Sequence, residues 1–201
     1  MFGSKNYVNR LIKSIDVKEL DNTNFKKKTE ELKNNFSLDS AINLFFSVVK
    51  KKKNIYLYKE QIAGSLIMEN GSIIEMSTGE GKTFVAILSA FINYLRGEQT
   101  KIITANDYLA LRDATLAFDI LGELGVRVGY IVQGQYGFVR RGVYKNSDII
   151  YSRIENVVFD FLKDKTVKRK EDILISRFDN IIIDEVDTVL IDNATNPIYI
   201  T

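Results

Sequence analysis

Residues 73–84 read "IIEMSTGEGKTF" and residues 180–190 read "NIIIDEVDTVL". In both, a short apolar run of the kind that lies inside a sheet leads straight into residues suited to phosphate chemistry. In the first, Thr78, Gly79, Glu80, Gly81, Lys82 and Thr83 make a glycine-rich turn between an expected strand and a helix predicted over Lys82 to Leu95. Glycines at 79 and 81 let successive backbone N–H groups converge on phosphate oxygens, and the positive end of the following helix points at the same place. Lys82 can then reach the β and γ phosphates of a nucleotide, and the Thr83 hydroxyl can ligate Mg²⁺. Met76 stands where the full G-x-x-x-x-G-K-[ST] loop carries glycine, so the match is to the shorter T-G-x-G-K-[ST] form. The bland alternative is a glycine turn that caps a helix beside an exposed lysine.

In the second stretch, Asp184 and Glu185 follow three isoleucines. They therefore emerge at the carboxyl end of a buried strand, where α/β sheets bind ligands. Asp184 is placed to hold the Mg²⁺ shell, and Glu185 to orient and deprotonate an attacking water. Phosphoryl transfer of this kind runs on positioning and charge neutralisation. It needs no histidine, and the chain has none. An acidic pair after an apolar strand is a weak signal alone and a strong one beside a phosphate loop. The two elements leave the phosphoryl acceptor open, so a kinase stays conceivable.

The segments between the two stretches set the fold class. Expected strands at 101–105, 126–132, 148–152 and 180–186 alternate with helices over 107 to about 122 and from 152 to about 163. That alternation implies parallel strands joined by crossovers, hence an α/β, doubly wound, mostly parallel sheet, and the glycine-rich phosphate loop makes the expected type a P-loop NTPase. Residues 1–54 read instead as an N-terminal helical segment. Phe2, Val8, Leu11, Ile12 and Ile15 recur near helical spacing among Lys5, Arg10, Lys13 and Lys18, and a second helix-like stretch runs from Asn24 to Lys53. The division places a nucleotide-binding domain at 55–201.

Composition narrows the chemistry. A chain of 201 residues buries roughly 70% of its unfolded surface, enough for one α/β core with an appendage. Hydrophobic content of 45% and charged content of 27% are ordinary for a globular protein, and a net charge of +2 is too small to argue by itself for a nucleic-acid partner, so any basic partner surface is local. With no cysteine and no histidine, disulfides and the usual zinc and nucleophile chemistries are out, which leaves carboxylates, Lys, Arg or a bound metal. There is no apolar run of membrane-spanning length and no leader pattern in the first twenty residues, so the expected location is cytoplasmic. The lysine runs read as a solvated face first and as a surface for anionic lipid headgroups second.

Three stretches together resemble one family, the SecA motor ATPases of preprotein export. They are "MSTGEGKTFVAILSAF" at 76–91, "TANDYLALRDA" at 104–114 and "IIIDEVDTVLID" at 181–192. The resemblance runs from about Gln61 to Thr201 and makes the nucleotide-binding domain at 55–201 the first of two. It implies an ATPase of the protein-secreting type that uses ATP or ADP with Mg²⁺, with Gln61 at the adenine, Thr78 to Thr83 at the phosphates, Thr83 and Asp184 at the metal, and Lys82 and Glu185 in catalysis. It implies as partners a Sec translocation channel, preprotein substrates, anionic membrane lipids, a second nucleotide-binding lobe and other SecA copies. The implied location is the inner face of a plasma or thylakoid membrane, peripherally bound. A non-catalytic docking fragment, or a DEAD-box nucleic-acid helicase lobe, is the alternative.

Departures from the family pattern are visible. Tyr56 replaces an arginine ahead of Gln61, the T-N-N element is lost from "YSRIENVVFDFLKDK" at 151–165, and "DNATNP" at 192–197 puts Asn193 and Thr195 where a carboxylate and an arginine are usual. At the 104–114 junction, Asn106 or Asp107 reads equally as a helix cap or a mechanical element, and Arg112 with Asp113 as a local ion pair. Tyr130, Tyr136, Phe138 and Tyr144, interleaved with Arg140 and Arg141, are expected to cover the sheet rather than to stack on bases.

Overall fold

A computed structural model describes residues 5–21 and 24–192. Phe2, Asn193, Thr195 and the rest of the 193–201 stretch lie outside the described residues. The chain divides into two compact units, residues 1–97 with 123–125, and residues 98–122 with 126–201.

The first unit is helical among its described residues: α1 (Lys5–Ser14), α2 (Phe25–Asn34), α3 (Leu38–Lys53), α4 (Lys59–Met68) and α5 (Lys82–Leu95). The expected single stretch from Asn24 to Lys53 is two helices. The Asn34–Asn35 pair ends α2, and Ser37 restarts the chain as N-cap of α3, its hydroxyl accepting from Ser40 N–H. The expected helix at 82–95 forms with those bounds. It buries Ile87, Leu88, Phe91 and Ile92 completely or nearly so, each contributing about 1.5–3 kcal/mol through apolar burial. Phe91 stacks on Phe45 of α3 with ring centroids 6.1 Å apart. The lysine run at the end of α3 is engaged rather than free: Lys50 pairs with Glu19, Lys51 lies over the Phe25 ring, and Lys52 pairs with Glu123 at 2.9 Å.

The strand expected from residue 71, ahead of the glycine-rich turn, is not formed. Residues 72–77 have no ladder, and Ile73 is 84% exposed. A strand exists only through hydrogen bonds to a neighbour, and the first unit holds no other strand among its described residues.

The second unit is the α/β layer expected from the alternation. Its strands β1 (Thr100–Thr104), β2 (Val128–Ile131), β3 (Ile149–Arg153) and β4 (Asn180–Ile183) form one parallel sheet in the order β2-β3-β1-β4. Its helices are α6 (Asp107–Leu121), α7 (Gly137–Asn146), α8 (Ile154–Asp164) and the short α9 (Val186–Leu190). Alternation of side chains along each strand sorts the two faces. Ile103, Ile131 and Ile150 pack with Tyr144 of α7, Val157 of α8 and Val189 of α9. On the other face Ile102, Ile149, Tyr151 and Ile182 are buried where α6 crosses β1, β2 and β3. Helices on both faces make the sheet doubly wound, as expected.

The aromatic segment departs from expectation. Only Tyr144 covers the sheet, at 1% exposure; Tyr136 and Phe138 are each 74% exposed and stack on each other at 5.9 Å. Tyr136 is the N-cap of α7, so these two rings precede the buried face of that helix, which is built from Arg140 and Tyr144 one turn apart. Arg140 turns inward and donates from Nη1 to Asp160 Oδ1 (2.9 Å) and from Nη2 to Asn156 Oδ1 and Val132 O. The Tyr144 hydroxyl donates to the other oxygen of Asp160.

Candidate functional site

Seven of the candidate residues lie together in the first unit. Gly79 and Gly81 hold φ of +86° and +78°, a left-handed conformation that side chains other than glycine resist. Gly81 is the N-cap of α5 and offers no side-chain cap. The N–H groups of Lys82 and Thr83 open the helix and have no carbonyl four residues back within it. Lys82 Nζ donates to the Met76 carbonyl at 3.2 Å, which keeps the ammonium over the loop. Glu80 Oε2 accepts from Ser77 N–H at 2.9 Å, so one loop amide is already satisfied by a carboxylate. Thr78 is exposed at the loop tip.

Gln61 is tied to this loop. Its Nε2 donates to the Glu80 carbonyl at 2.7 Å, and its Oε1 accepts from Tyr58 N–H at 2.9 Å. A Cβ on residue 81 would sit 2.3 Å from Gln61 Nε2. The loop and the amide therefore close on each other only because residue 81 has no side chain. Tyr56 and Tyr58, by contrast, are 60% and 71% exposed.

Asp184 and Glu185 belong to the second unit. The Asp184 N–H donates to the Ile103 carbonyl at 2.9 Å, which extends the β1–β4 ladder by one residue and fixes the carboxylate at the strand end. Its Oδ1 accepts from Glu185 N–H at 3.0 Å. Its other oxygen meets no protein donor among the described residues. Glu185 caps α9 with φ +52° and ψ 56°, an uncommon conformation for a residue with a side chain and one that concentrates at functional sites. Its side chain is exposed.

These residues fit Mg²⁺ and a nucleotide by their own chemistry. Mg²⁺ takes hard oxygen donors and one or two carboxylates beside phosphate oxygens and water; Asp184 offers such an oxygen, and the Thr83 hydroxyl is another of the same kind. No cluster of three or more metal-ligating side chains occurs among the described residues, and none is required for an ion held largely by phosphate. The uncapped start of α5, behind two left-handed glycines, fits an anion.

At the 104–114 junction one of the two candidates is the helix cap. Asn106 Oδ1 accepts from Leu109 N–H at 2.8 Å and caps α6. Asp107 instead accepts from Gln133 N–H and from Asn156 Nδ2, joining α6 to the β2–α7 loop and α8. Arg112 Nε donates to Asp113 at 2.8 Å, and that bond, more than anything else, raises the Arg112 pKa. Sequence reading missed the Arg140–Asp160 pair: Asp160 stands in the quoted 151–165 stretch, but nothing in the spacing assigned it a partner twenty residues earlier.

A family model described as the SecA DEAD-like domain matches residues 5–201. The chain belongs to this family. Among curated relatives, this SecA-family chain is similar to the protein translocase subunit SecA of Ehrlichia chaffeensis, 38% identical over 221 residues that take in 100% of the chain and 25% of the relative. It is 40% identical over 193 residues to that of Clostridium botulinum strain Eklund 17B, covering 92% of the chain and 23% of the relative. It is 36% identical over 217 residues to that of Antithamnion sp., covering 100% and 24%. The chain thus spans about a quarter of the length of these relatives. Among the described residues no helix is long and apolar enough to cross a membrane.

Proposed function

We propose that this chain is the ATP-binding lobe of a SecA-like motor that drives protein export across a membrane through a Sec channel by ATP hydrolysis. The observation that carries the reading is the uncapped start of α5 behind Gly79 and Gly81, with Lys82 over the loop and Gln61 locked against it. In this reading the amides from Gly79 to Thr83, with Thr78 and Glu80 shaping the turn, take the phosphates. Lys82 neutralises their charge, and Gln61 sits at the adenine. Thr83 and Asp184 hold Mg²⁺, which when bound supplies charge neutralisation at the phosphates. Glu185 orients the attacking water and accepts its proton.

The relatives are named as translocase subunits, and the proposed partners follow from that: a Sec channel, preproteins, anionic lipids at the lysine-rich helices, further SecA copies and a second nucleotide-binding lobe. The proposed location is the cytoplasmic face of the membrane, peripherally bound. Arginines that stabilise the transferring phosphoryl group would come from the second lobe, so turnover by this chain alone is slow. The test is steady-state phosphate release with the remaining lobes supplied in trans. The reading expects Glu185→Gln to lower turnover by at least about two orders of magnitude. Release that is the same in the variant and the unsubstituted chain would make this a docking module instead.

A further inference from the structure

Tyr151 lies in the middle of β3 with its side chain buried, and its hydroxyl has no hydrogen-bond partner among the described residues. A buried hydroxyl left unpaired is a cost that phenylalanine at the same place would not carry. The strand register places Tyr151 on the same face of the sheet as the end of β4, with β1 between the two strands. Tyr151 is level with Ile102 on β1, and Ile102 is level with Ile182 on β4. Asp184, two residues beyond Ile182, leaves the sheet on the same face. Helix α6 covers that face and brings Asp113 to it. Burial first, and then the charges of Asp113 and Asp184, hold the Tyr151 phenol far above its ordinary range, so it stays a protonated donor. The two carboxylates are not equivalent. Asp113 is already held by Arg112 Nε, whereas among the described residues Asp184 takes only the N–H of its own neighbour Glu185.

We propose that the Tyr151 hydroxyl is a positioning group for Asp184, donating to its carboxylate when that carboxylate turns to hold a divalent cation. The proposal rests on the reading of Asp184 as the Mg²⁺ ligand. The single N–H of Glu185 lets the Asp184 carboxylate turn about that one hydrogen bond, and a second donor in the next layer fixes it when it binds a cation. Tyr151 can supply that donor without adding charge, from a face on which Ile102, Ile149 and Ile182 are also buried. Tyr151 itself touches neither nucleotide nor water, so its effect appears in the cation requirement.

The test is Tyr151→Phe in the whole chain, measured by thermal midpoint without nucleotide and by binding of a fluorescent ADP analogue across a MgCl₂ titration. The expected midpoint is unchanged or higher, binding in EDTA is unchanged, and the MgCl₂ needed for half of the Mg²⁺ effect rises about tenfold. On an Asp184→Asn background the same substitution should change nothing further. A Mg²⁺ requirement identical in the variant and the unsubstituted chain overturns the proposal alone, whatever the midpoint does. Absence of any Mg²⁺ effect in the unsubstituted chain overturns the reading of Asp184, and the proposal with it.

Discussion

Gln61 Nε2 donates a 2.7 Å hydrogen bond to the carbonyl oxygen of Glu80, so the start of α4 and the tip of the phosphate loop are held by one side-chain amide. The same amide accepts from Tyr58 N–H. Gln61→Ala should therefore lose two hydrogen bonds with a net worth of about 1 kcal/mol each, and lower both the unfolding midpoint in urea and the affinity for ADP. Gln61→Glu should be worse, since it sets a carboxylate against the Glu80 carbonyl. Wild-type ADP affinity in Gln61→Glu would contradict this role.

The two loop glycines make different demands. Both have positive φ, but a Cβ at Gly79 meets nothing within 4 Å, whereas one at Gly81 lands 2.3 Å from Gln61 Nε2. Gly79→Ala should cost about 1–2 kcal/mol of backbone strain. Gly81→Ala adds displacement of Gln61 to that strain, so its loss of ADP affinity should be the larger of the two. Removing the obstruction in Gly81→Ala/Gln61→Ala should recover none of the affinity but part of the stability.

Within the second unit, Arg140 and Asp160 are a buried ion pair, with side chains 11% and 1% exposed. Removing the carboxylate strands a buried guanidinium and takes the acceptor from Tyr144 OH. Asp160→Ala should destabilise the fold by about 3–5 kcal/mol in urea unfolding. Arg169→Ala breaks only surface pairs and should cost less than about 1 kcal/mol. Equal costs for the two would contradict the assignment.

Lys101 is fully buried on β1, where Nζ donates to Gln99 Oε1 and to the Arg177 carbonyl and lies 4.7 Å from the centre of the Phe178 ring. Burial, aided by the Arg177 charge and opposed by Asp179, pulls its pKa from an ordinary 10.5 down to about 8. Between those values the unfolded chain keeps a proton that the folded chain has lost, so stability rises as pH rises through that window. Lys101→Met removes the term. The stability of the unsubstituted chain relative to this variant should grow from pH 8 toward pH 10 and stay constant below about pH 7. A difference that is flat from pH 8 to 10 would show that burial does not shift this lysine.

What the sequence made legible follows from which forces act locally. Strands β1 to β4 and helix α5 are each announced by their own apolar pattern, and the glycine loop and the Asp184–Glu185 pair by short motifs. The break between α2 and α3 was carried by Asn35 and Ser37, a capping signal that the continuous apolar spacing masked. The absence of a strand ahead of the glycine loop was not legible, because strand formation depends on a partner and not on the isoleucines themselves. The inward turn of Arg140 and the exposure of Tyr136 and Phe138 were missed for a related reason. Composition of a segment does not say which of its residues a distant carboxylate, here Asp160, will draw inside. The unpaired hydroxyl of Tyr151 is visible only once the strand register is known.

Equilibrium titration of the chain with a fluorescent ADP analogue, with and without Mg²⁺, beside Lys82→Ala, decides whether the glycine loop is a phosphate site. The expected result is saturable binding strengthened by Mg²⁺ in the unsubstituted chain and its loss in Lys82→Ala. Equal affinity in the two proteins, or no binding in either, would contradict a phosphate site at Gly79 to Thr83.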